Sequence, residues 1–279
     1  VDALLQHGAE INLQDSDGHT ALTCAGFFGH PAVVLRLLRA GADMTLRSSG
    51  RTALQIAKEK GHAECVQAFR THLGEVAASR SKAPSAEAGG AGAALGASAA
   101  ASASRGEGGA EAEPSGGAVP KEVVQAAQRG GEEAVLAWLD GGGRVDARFE
   151  YVFSSGLRVG GMTLLMLAMA YGHEGLAEAL LQRGADISLQ SGEGSTALMA
   201  AAGNGHERVV GLLIRRGAEI NLQSSNGITA LMLAANNGHE RVVELLIRHG
   251  AEVDKQNSCG ANALMAAARN GHERVVELL

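Results

Sequence analysis

A Gly-His pair recurs at fixed spacing and constrains the fold of this chain more than any other feature. The pair occurs 33 residues apart at Gly172-His173, Gly205-His206, Gly238-His239 and Gly271-His272, and again at 29–30 and 61–62. A period of this length indicates an array of repeated structural units. Such arrays build long binding surfaces more often than they build one catalytic pocket.

Residues 191–223 illustrate one unit of the array. Thr196 stands where a helix N-cap belongs, and Gly205 can take the left-handed conformation that ends this helix. A second, strongly apolar helix follows and ends at Gly217, before an extended stretch that reaches Asn226-Gly227, a hairpin signal. The pattern predicts helix, turn, helix and an extended finger, which must stack on its neighbours to bury both helices.

The units resemble ankyrin repeats. The matching motifs are Gly-x-Thr-Ala-Leu at 194–198, Ala-Ala-x-x-Gly-His at 201–206 and Gly-Ala-Glu at 217–219, and they recur in phase. The resemblance implies an all-α solenoid with a helix-turn-helix and a β-hairpin finger in each unit of about 33 residues. The family's Thr-Pro-Leu-His reads Thr-Ala-Leu-Met at 196–199. The loss of that histidine removes a polar brace that the family uses within and between units.

The chain divides into two arrays joined by a linker. Residues 1–73 and 120–279 carry the repeats, whereas 33 of the 46 residues in 74–119 are Gly, Ala or Ser. That composition predicts a disordered, flexible linker, with a short alanine-rich helix through 97–103 as the alternative. The first and last units are truncated in sequence. We therefore expect apolar faces at both ends, as in a piece of a longer protein.

One unit of the second array carries an insertion at 148–159. The step from Gly130 to Gly172 is 42 residues, nine more than the period. Phe149, Tyr151 and Phe153 alternate within this stretch, so in a strand their side chains share one face. The row either packs on the neighbouring finger or contacts a partner. We favour a partner, because aromatic residues dominate binding hot spots.

Other residue patterns point away from catalysis and metal binding. Stacked units are spaced by helix packing, so the Gly-His histidines cannot converge on one ion at zinc distance, and we interpret them as turn residues that bond local backbone. Met166, Met199, Met232 and Met265 recur beside leucines and are expected in the core. The sequence predicts no cofactor, no metal site and no catalytic residue, hence no enzyme activity of its own.

Composition limits the partners and the cellular setting. The net charge of -6 argues against binding to nucleic acid, and no apolar run reaches the length of a membrane helix. Three scattered cysteines cannot form a disulfide framework and suggest a reducing compartment. We expect a monomer in the cytoplasm, with the nucleus as the alternative.

The resemblance implies a non-catalytic scaffold or adaptor that binds a partner protein on the concave face of fingers and inner helices. The alternative is a regulatory or targeting segment of a larger enzyme. In the resemblance, fingertips and exposed positions of the first helices form the contact surface, and exposed aromatics strengthen the case in so aromatic-poor a chain. The predicted partner-binding residues are Phe27, Phe28, Phe149, Tyr151, Phe153, Tyr171, Glu193, Asn204, Asn226, Asn236, Asn237, Arg269 and Asn270.

Overall fold

The structure is a computed structural model that describes residues 8–82, 118–154 and 156–279. Within these ranges the chain forms paired helices with short hairpins, as the repeat pattern predicts. The helices are α1 (Ala21–Phe28), α2 (Pro31–Arg39), α3 (Ala53–Glu59), α4 (Ala63–Lys82), α5 (Lys121–Arg129), α6 (Glu132–Asp140), α7 (Leu164–Ala170), α8 (Glu174–Gln182), α9 (Ala197–Gly203), α10 (Glu207–Arg215), α11 (Ala230–Asn236), α12 (Glu240–Arg248), α13 (Ala263–Asn270) and α14 (Glu273–Leu278).

Two fingers of the described chain contain antiparallel strand pairs. Strands β1 (Arg47–Ser48) and β2 (Arg51–Thr52) form a short hairpin. Strands β3 (Phe149–Val152) and β4 (Arg158–Met162) form a longer one, with Phe149 opposite Met162 and Tyr151 opposite Val159. An irregularity in register lies between Phe149 and Tyr151. The nine surplus residues therefore lengthen one finger and leave the helices of that unit intact.

The first helix of each unit begins at a side-chain cap, as predicted from Thr196. The Thr196 hydroxyl accepts a hydrogen bond from the Met199 amide at 3.2 Å, and Thr229 does the same for Met232. These caps satisfy one of the backbone amides that a helix start leaves without a partner. The capped methionines are buried with Met166 and Met265, which confirms that they belong to the core.

The histidine of each Gly-His pair joins its unit to the preceding one. The Nε2 atom of His239 donates to the carbonyl of Gly203 at 3.0 Å, and five other units repeat this bond at 2.8 to 3.0 Å. The acceptors lie at the end of the preceding first helix, where carbonyls lack an intrahelical partner. The expectation of a purely local bond is wrong, because helix stacking brings the neighbouring carbonyl within reach of the imidazole.

The glycine of each pair provides the space for the next histidine. Gly205 has φ of 76°, and a Cβ atom there would lie 2.6 Å from Nδ1 of His239. A side chain at this position is therefore excluded by the left-handed backbone and by the neighbouring ring. The brace lost with Thr-Pro-Leu-His is thus supplied by the Gly-His histidine, which bonds directly between units.

The fingers are joined by a second ladder of hydrogen bonds. Gln223 donates from Nε2 to the Gly227 carbonyl of its own finger and to the Gln256 carbonyl of the next. The Ser225 amide also donates to the Glu193 carbonyl at 3.0 Å. Each finger is therefore fixed to its neighbour through both side chain and backbone.

The two arrays stack end to end in an order that differs from the sequence. Helix α13 packs against α11 on one side and α1 on the other, while α14 packs against α12 and α2. Both ladders continue across this junction, since His30 donates to the Arg269 carbonyl and Gln256 to the Gln14 carbonyl. In space, the units of 118–279 come first and those of 8–82 continue the same stack.

At the junction, residues from the two ends of the chain complete one unit. The Ala9 amide donates to the Leu279 carbonyl at 3.0 Å, as the Ala251 amide donates to Leu246 inside the second array. Residues 257–279 and 8–14 together therefore supply both helices and the finger of one repeat. The expected apolar face at the carboxyl end is covered, and Val275, Val276, Leu278 and Leu279 are buried.

The predicted linker begins later than its composition indicates. Helix α4 runs to Lys82, so residues 74–82 are helical and the boundary at 74 is wrong. An ion pair between Arg39 and Glu75 holds this extension on α2, and the alanines that suggested a linker are also strong helix formers. The predicted linker between 83 and 117, with its alternative helix at 97–103, lies outside the described residues.

Two glycines with the same backbone conformation separate steric contact from backbone strain. Gly217 has φ of 86° but a Cβ there meets no atom within 4 Å, unlike Gly205. Gly217→Ala should destabilise by about 1–2 kcal/mol from the left-handed backbone alone. Gly205→Ala should cost clearly more in urea unfolding, because the His239 ring must also move. Equal losses for the two variants would show that the histidine contact is unimportant.

Candidate functional site

A groove opens where the two arrays meet. It has a volume of about 600 Å³ and lies between the first helices α11, α13 and α1 and the fingers around residues 15–19 and 257–262. Met232, Leu233, Met265 and Ala266 form its apolar floor. We call this the junction groove, and we call the surface of first helices and fingers on which it opens the inner face.

Two exposed aromatic rings stand at one side of the junction groove. Phe27 and Phe28, at the end of α1, expose 41% and 42% of their surface and pack edge to face with centroids 4.9 Å apart. The Lys60 ammonium lies 4.1 Å from the Phe27 ring, and the Arg269 guanidinium lies 5.2 Å from the Phe28 ring. The sequence-based expectation that both phenylalanines are exposed is confirmed.

The fingers contribute acidic groups to the opposite side of the groove. The Asp15 carboxylate accepts from the amides of Asp17 and His19 and contacts His19 Nδ1 at 3.0 Å. These donors fix the finger turn and occupy the Asp15 oxygens. Ligand atoms of Asp15, Asp17 and His19 lie within 4.8 Å of one another. A capped turn accounts for this arrangement without an ion.

Cys24 also lines the groove, and its environment keeps the thiol protonated. Burial, reinforced by the nearby Asp15 carboxylate, raises the pKa of Cys24 to about 11, although Arg269 acts in the opposite direction. At neutral pH the nucleophilic thiolate is therefore scarce. Cys24 contributes packing surface to the groove rather than chemistry.

The predicted asparagines form an amide ladder along the inner face. Asn270 donates to Asn236 Oδ1 at 2.9 Å, Asn236 donates to Asn237, and Asn237 donates to the Gly203 carbonyl. Asn204 donates to the Ala200 carbonyl in its own helix. All four side chains are exposed, so the structure places them together on one accessible polar strip.

The finger residues Glu193 and Asn226 lie at successive fingertips. Both are exposed, and their backbone carbonyls accept the amides of Ser225 and Ser258 from the next finger. The backbone of these residues is thus fixed by the ladder, while their side chains face solvent. Their distance along the stack from Phe27 and Phe28 depends on the junction order.

The aromatic row of the long finger is packed rather than offered to solvent. Tyr151 is only 8% exposed, its ring meets Phe153 edge to face at 4.8 Å, and its hydroxyl bonds the Tyr171 hydroxyl at 2.9 Å. Burial and this bond raise the pKa of Tyr151. Phe149, Phe153 and Tyr171 are half-buried against the core. The expectation that the row faces a partner is therefore wrong for Tyr151, because the hairpin folds back on α7.

Sequence reasoning missed two groups of groove residues. Lys60 lies 33 residues after Phe27, so the repeat period itself could have placed it beside that ring. The methionine floor was assigned to the core, which is correct for burial but overlooks the groove above it. The approach of Arg269 to Phe28 could not have been found, because it depends on contact between opposite ends of the chain.

A family model described as ankyrin repeats (3 copies) matches residues 1–78, 123–224 and 198–279. Similar curated proteins include the E3 ubiquitin-protein ligase XBAT33 of Arabidopsis thaliana, 41% identical over 69 residues, which are 24% of this chain and 14% of that protein. Ankyrin repeat domain-containing protein SAT10 of Stachybotrys chartarum is 45% identical over 65 residues, 23% of this chain and 3% of its own length.

Human ankyrin repeat domain-containing protein 63 is 36% identical over 84 residues, which are 28% of this chain and 22% of that protein. The chain therefore spans less than a quarter of the length of each of these three relatives. Among the helices that the structure describes, none has the length and apolar character to cross a bilayer.

The packing of the long finger makes opposite predictions for neighbouring residues. Tyr151→Ala should destabilise the protein by about 3–5 kcal/mol, because it removes a buried ring. Val152→Ala, at a position 50% exposed in the same strand, should change stability by no more than about 0.5 kcal/mol. Urea unfolding of both variants measures the difference. A Tyr151 variant as stable as the Val152 variant would contradict the packed arrangement.

Proposed function

Since the chain belongs to the ankyrin-repeat family, we propose that it binds a partner protein through its inner face, with the junction groove as the principal contact. Ankyrin repeats generally serve as protein-interaction modules. The observation that carries the proposal is the exposed pair Phe27 and Phe28 beside an open groove with an apolar floor. Exposed aromatic residues at the edge of a pocket are typical of binding hot spots.

The ladders between units support binding with little ordering cost. Fingers and first helices are each fixed by repeated hydrogen bonds, so groups on the inner face keep fixed spacings before a partner arrives. A preorganised surface loses less entropy on association than a flexible one. On this account the asparagine ladder, together with Glu193 and Asn226, contributes polar contacts around the groove.

We propose that the binding is non-catalytic. The thiol of Cys24 has a raised pKa, and the Asp15 carboxylate is occupied by turn amides, so the titratable groups of the groove are not arranged as acid, base and nucleophile. Net charge of -6 disfavours nucleic acid. We retain a monomer in the cytoplasm, or alternatively the nucleus, as part of the proposal.

The second candidate is a regulatory or targeting segment of a larger enzyme. Two similar proteins, from Arabidopsis thaliana and Oryza sativa, carry E3 ubiquitin-protein ligase or probable E3 ligase in their names, and this chain spans 14% of each. In that case the inner face would capture a substrate or regulator for chemistry elsewhere. The full open reading frame discriminates the two candidates, because a catalytic domain on the same polypeptide would favour the second.

The aromatic pair provides the test of the proposed contact. The double variant Phe27→Ala/Phe28→Ala should weaken partner capture by at least about tenfold, as expected for hot-spot aromatics, while stability changes little. Leu73→Ala is the control, since Leu73 is 47% exposed but lies on α4 outside the groove. Affinity capture from cell extract with quantitative mass spectrometry measures both. Equal capture by the double variant and the native chain would exclude the groove as the principal contact.

A further inference from the structure

The charged groups around the junction groove are divided between its two sides. Lys60 and Arg269 lie on the helix side, each over a phenylalanine ring. Among the described residues neither cation forms an ion pair with a carboxylate. A partner carboxylate placed here would gain charge-assisted hydrogen bonds without displacing an existing pair.

The finger side of the groove carries the opposite charge. The Asp15 oxygens already accept the Asp17 amide, the His19 amide and the His19 ring, but the Asp17 side chain is exposed and, within the described chain, makes no ion pair. The Asp17 carboxylate is therefore available to a cation of a partner. Two acidic groups on this side also disfavour a phosphate or another polyanion as the occupant.

The space between the two charged sides is apolar. The floor of Met232, Leu233 and Met265 and the edge formed by Phe28 enclose about 600 Å³, a volume typical of pockets that bury side chains. Methionine side chains adapt to apolar groups of different shape. The groove therefore offers an anion site, an apolar pocket and a cation site in that order.

We propose that the junction groove binds an extended protein segment in which an apolar residue lies between an acidic and a basic residue. The acidic residue pairs with Arg269 and Lys60, the apolar side chain enters the methionine floor beside Phe28, and the basic residue pairs with Asp17. This inference rests on the proposed function and specifies the chemistry of the partner. Because the two arrays each contribute one side, an occupied groove also holds them together.

A displayed library of random twelve-residue peptides tests this chemistry on the full chain. Peptides enriched by the native protein, and lost with Phe27→Ala/Phe28→Ala, should share the acidic, apolar and basic pattern. The variant Lys60→Glu/Arg269→Glu should select a basic residue in place of the acidic one, and bind the native peptides about tenfold or more weakly. Asp17→Lys should reverse the preference at the other position.

Arg208→Glu is a control for charge, because Arg208 is an exposed residue of α10 outside the groove. It should leave the selected pattern unchanged. Lys60→Gln/Arg269→Gln, which removes charge without reversing it, should lose the acidic preference without acquiring a basic one, and thermal midpoints establish that each variant is folded.

The outcomes separate the two levels of the proposal. Peptides that depend on Phe27 and Phe28 but keep the same pattern in the charge-reversal variants would overturn the assigned chemistry and leave segment binding intact. A library in which no enriched peptide depends on the aromatic pair would overturn the proposed function of the groove as well.

Discussion

The hydrogen bond from each Gly-His imidazole to the end of the preceding first helix is the contact on which this array depends. It satisfies a carbonyl that the helix itself leaves without a partner, and it spans two units that share no sequence-local contact. The glycine is required because its missing side chain makes room for the next ring and because its φ is positive. The 33-residue period is thus the trace in sequence of one repeated interaction between neighbours.

The same interaction explains how two separated arrays become one stack. His30 meets the Arg269 carbonyl and Gly271 in the way that His239 meets Gly203 and Gly205. The junction consequently needs no special chemistry, since it reuses the surface by which every unit recognises the next. Its consequence is particular to this place, because the first array carries aromatic residues where the second carries asparagines. The groove and its divided charges arise from that change in side chains at equivalent positions.

The repeat pattern predicts the helices, their caps, the buried methionines and the longer finger, because each follows from spacing and local propensity. The exposure of Phe27 and Phe28 also follows, since their positions face outward in every unit. The burial of Tyr151 could not be predicted, because strand alternation places three aromatics on one face without saying whether that face meets α7 or solvent. The junction was equally hidden, because local patterns carry no information about contact between residues 9 and 279. The start of the linker was misjudged because alanine is common both in linkers and in helices.

Amide hydrogen exchange across the junction tests the continuous stack most directly. The amides of Ala9 and Ser16 donate to the carbonyls of Leu279 and Cys259, whereas the Ser225 amide makes the equivalent finger bond inside the second array. In the full chain, the protection of Ala9 and Ser16 should lie within about tenfold of that of their counterparts Ala251 and Ser225, a difference of about 1.4 kcal/mol. Exchange of Ala9 and Ser16 at the rate of unstructured chain, with Ala251 and Ser225 still protected, would show that the arrays do not dock and that the junction groove does not form.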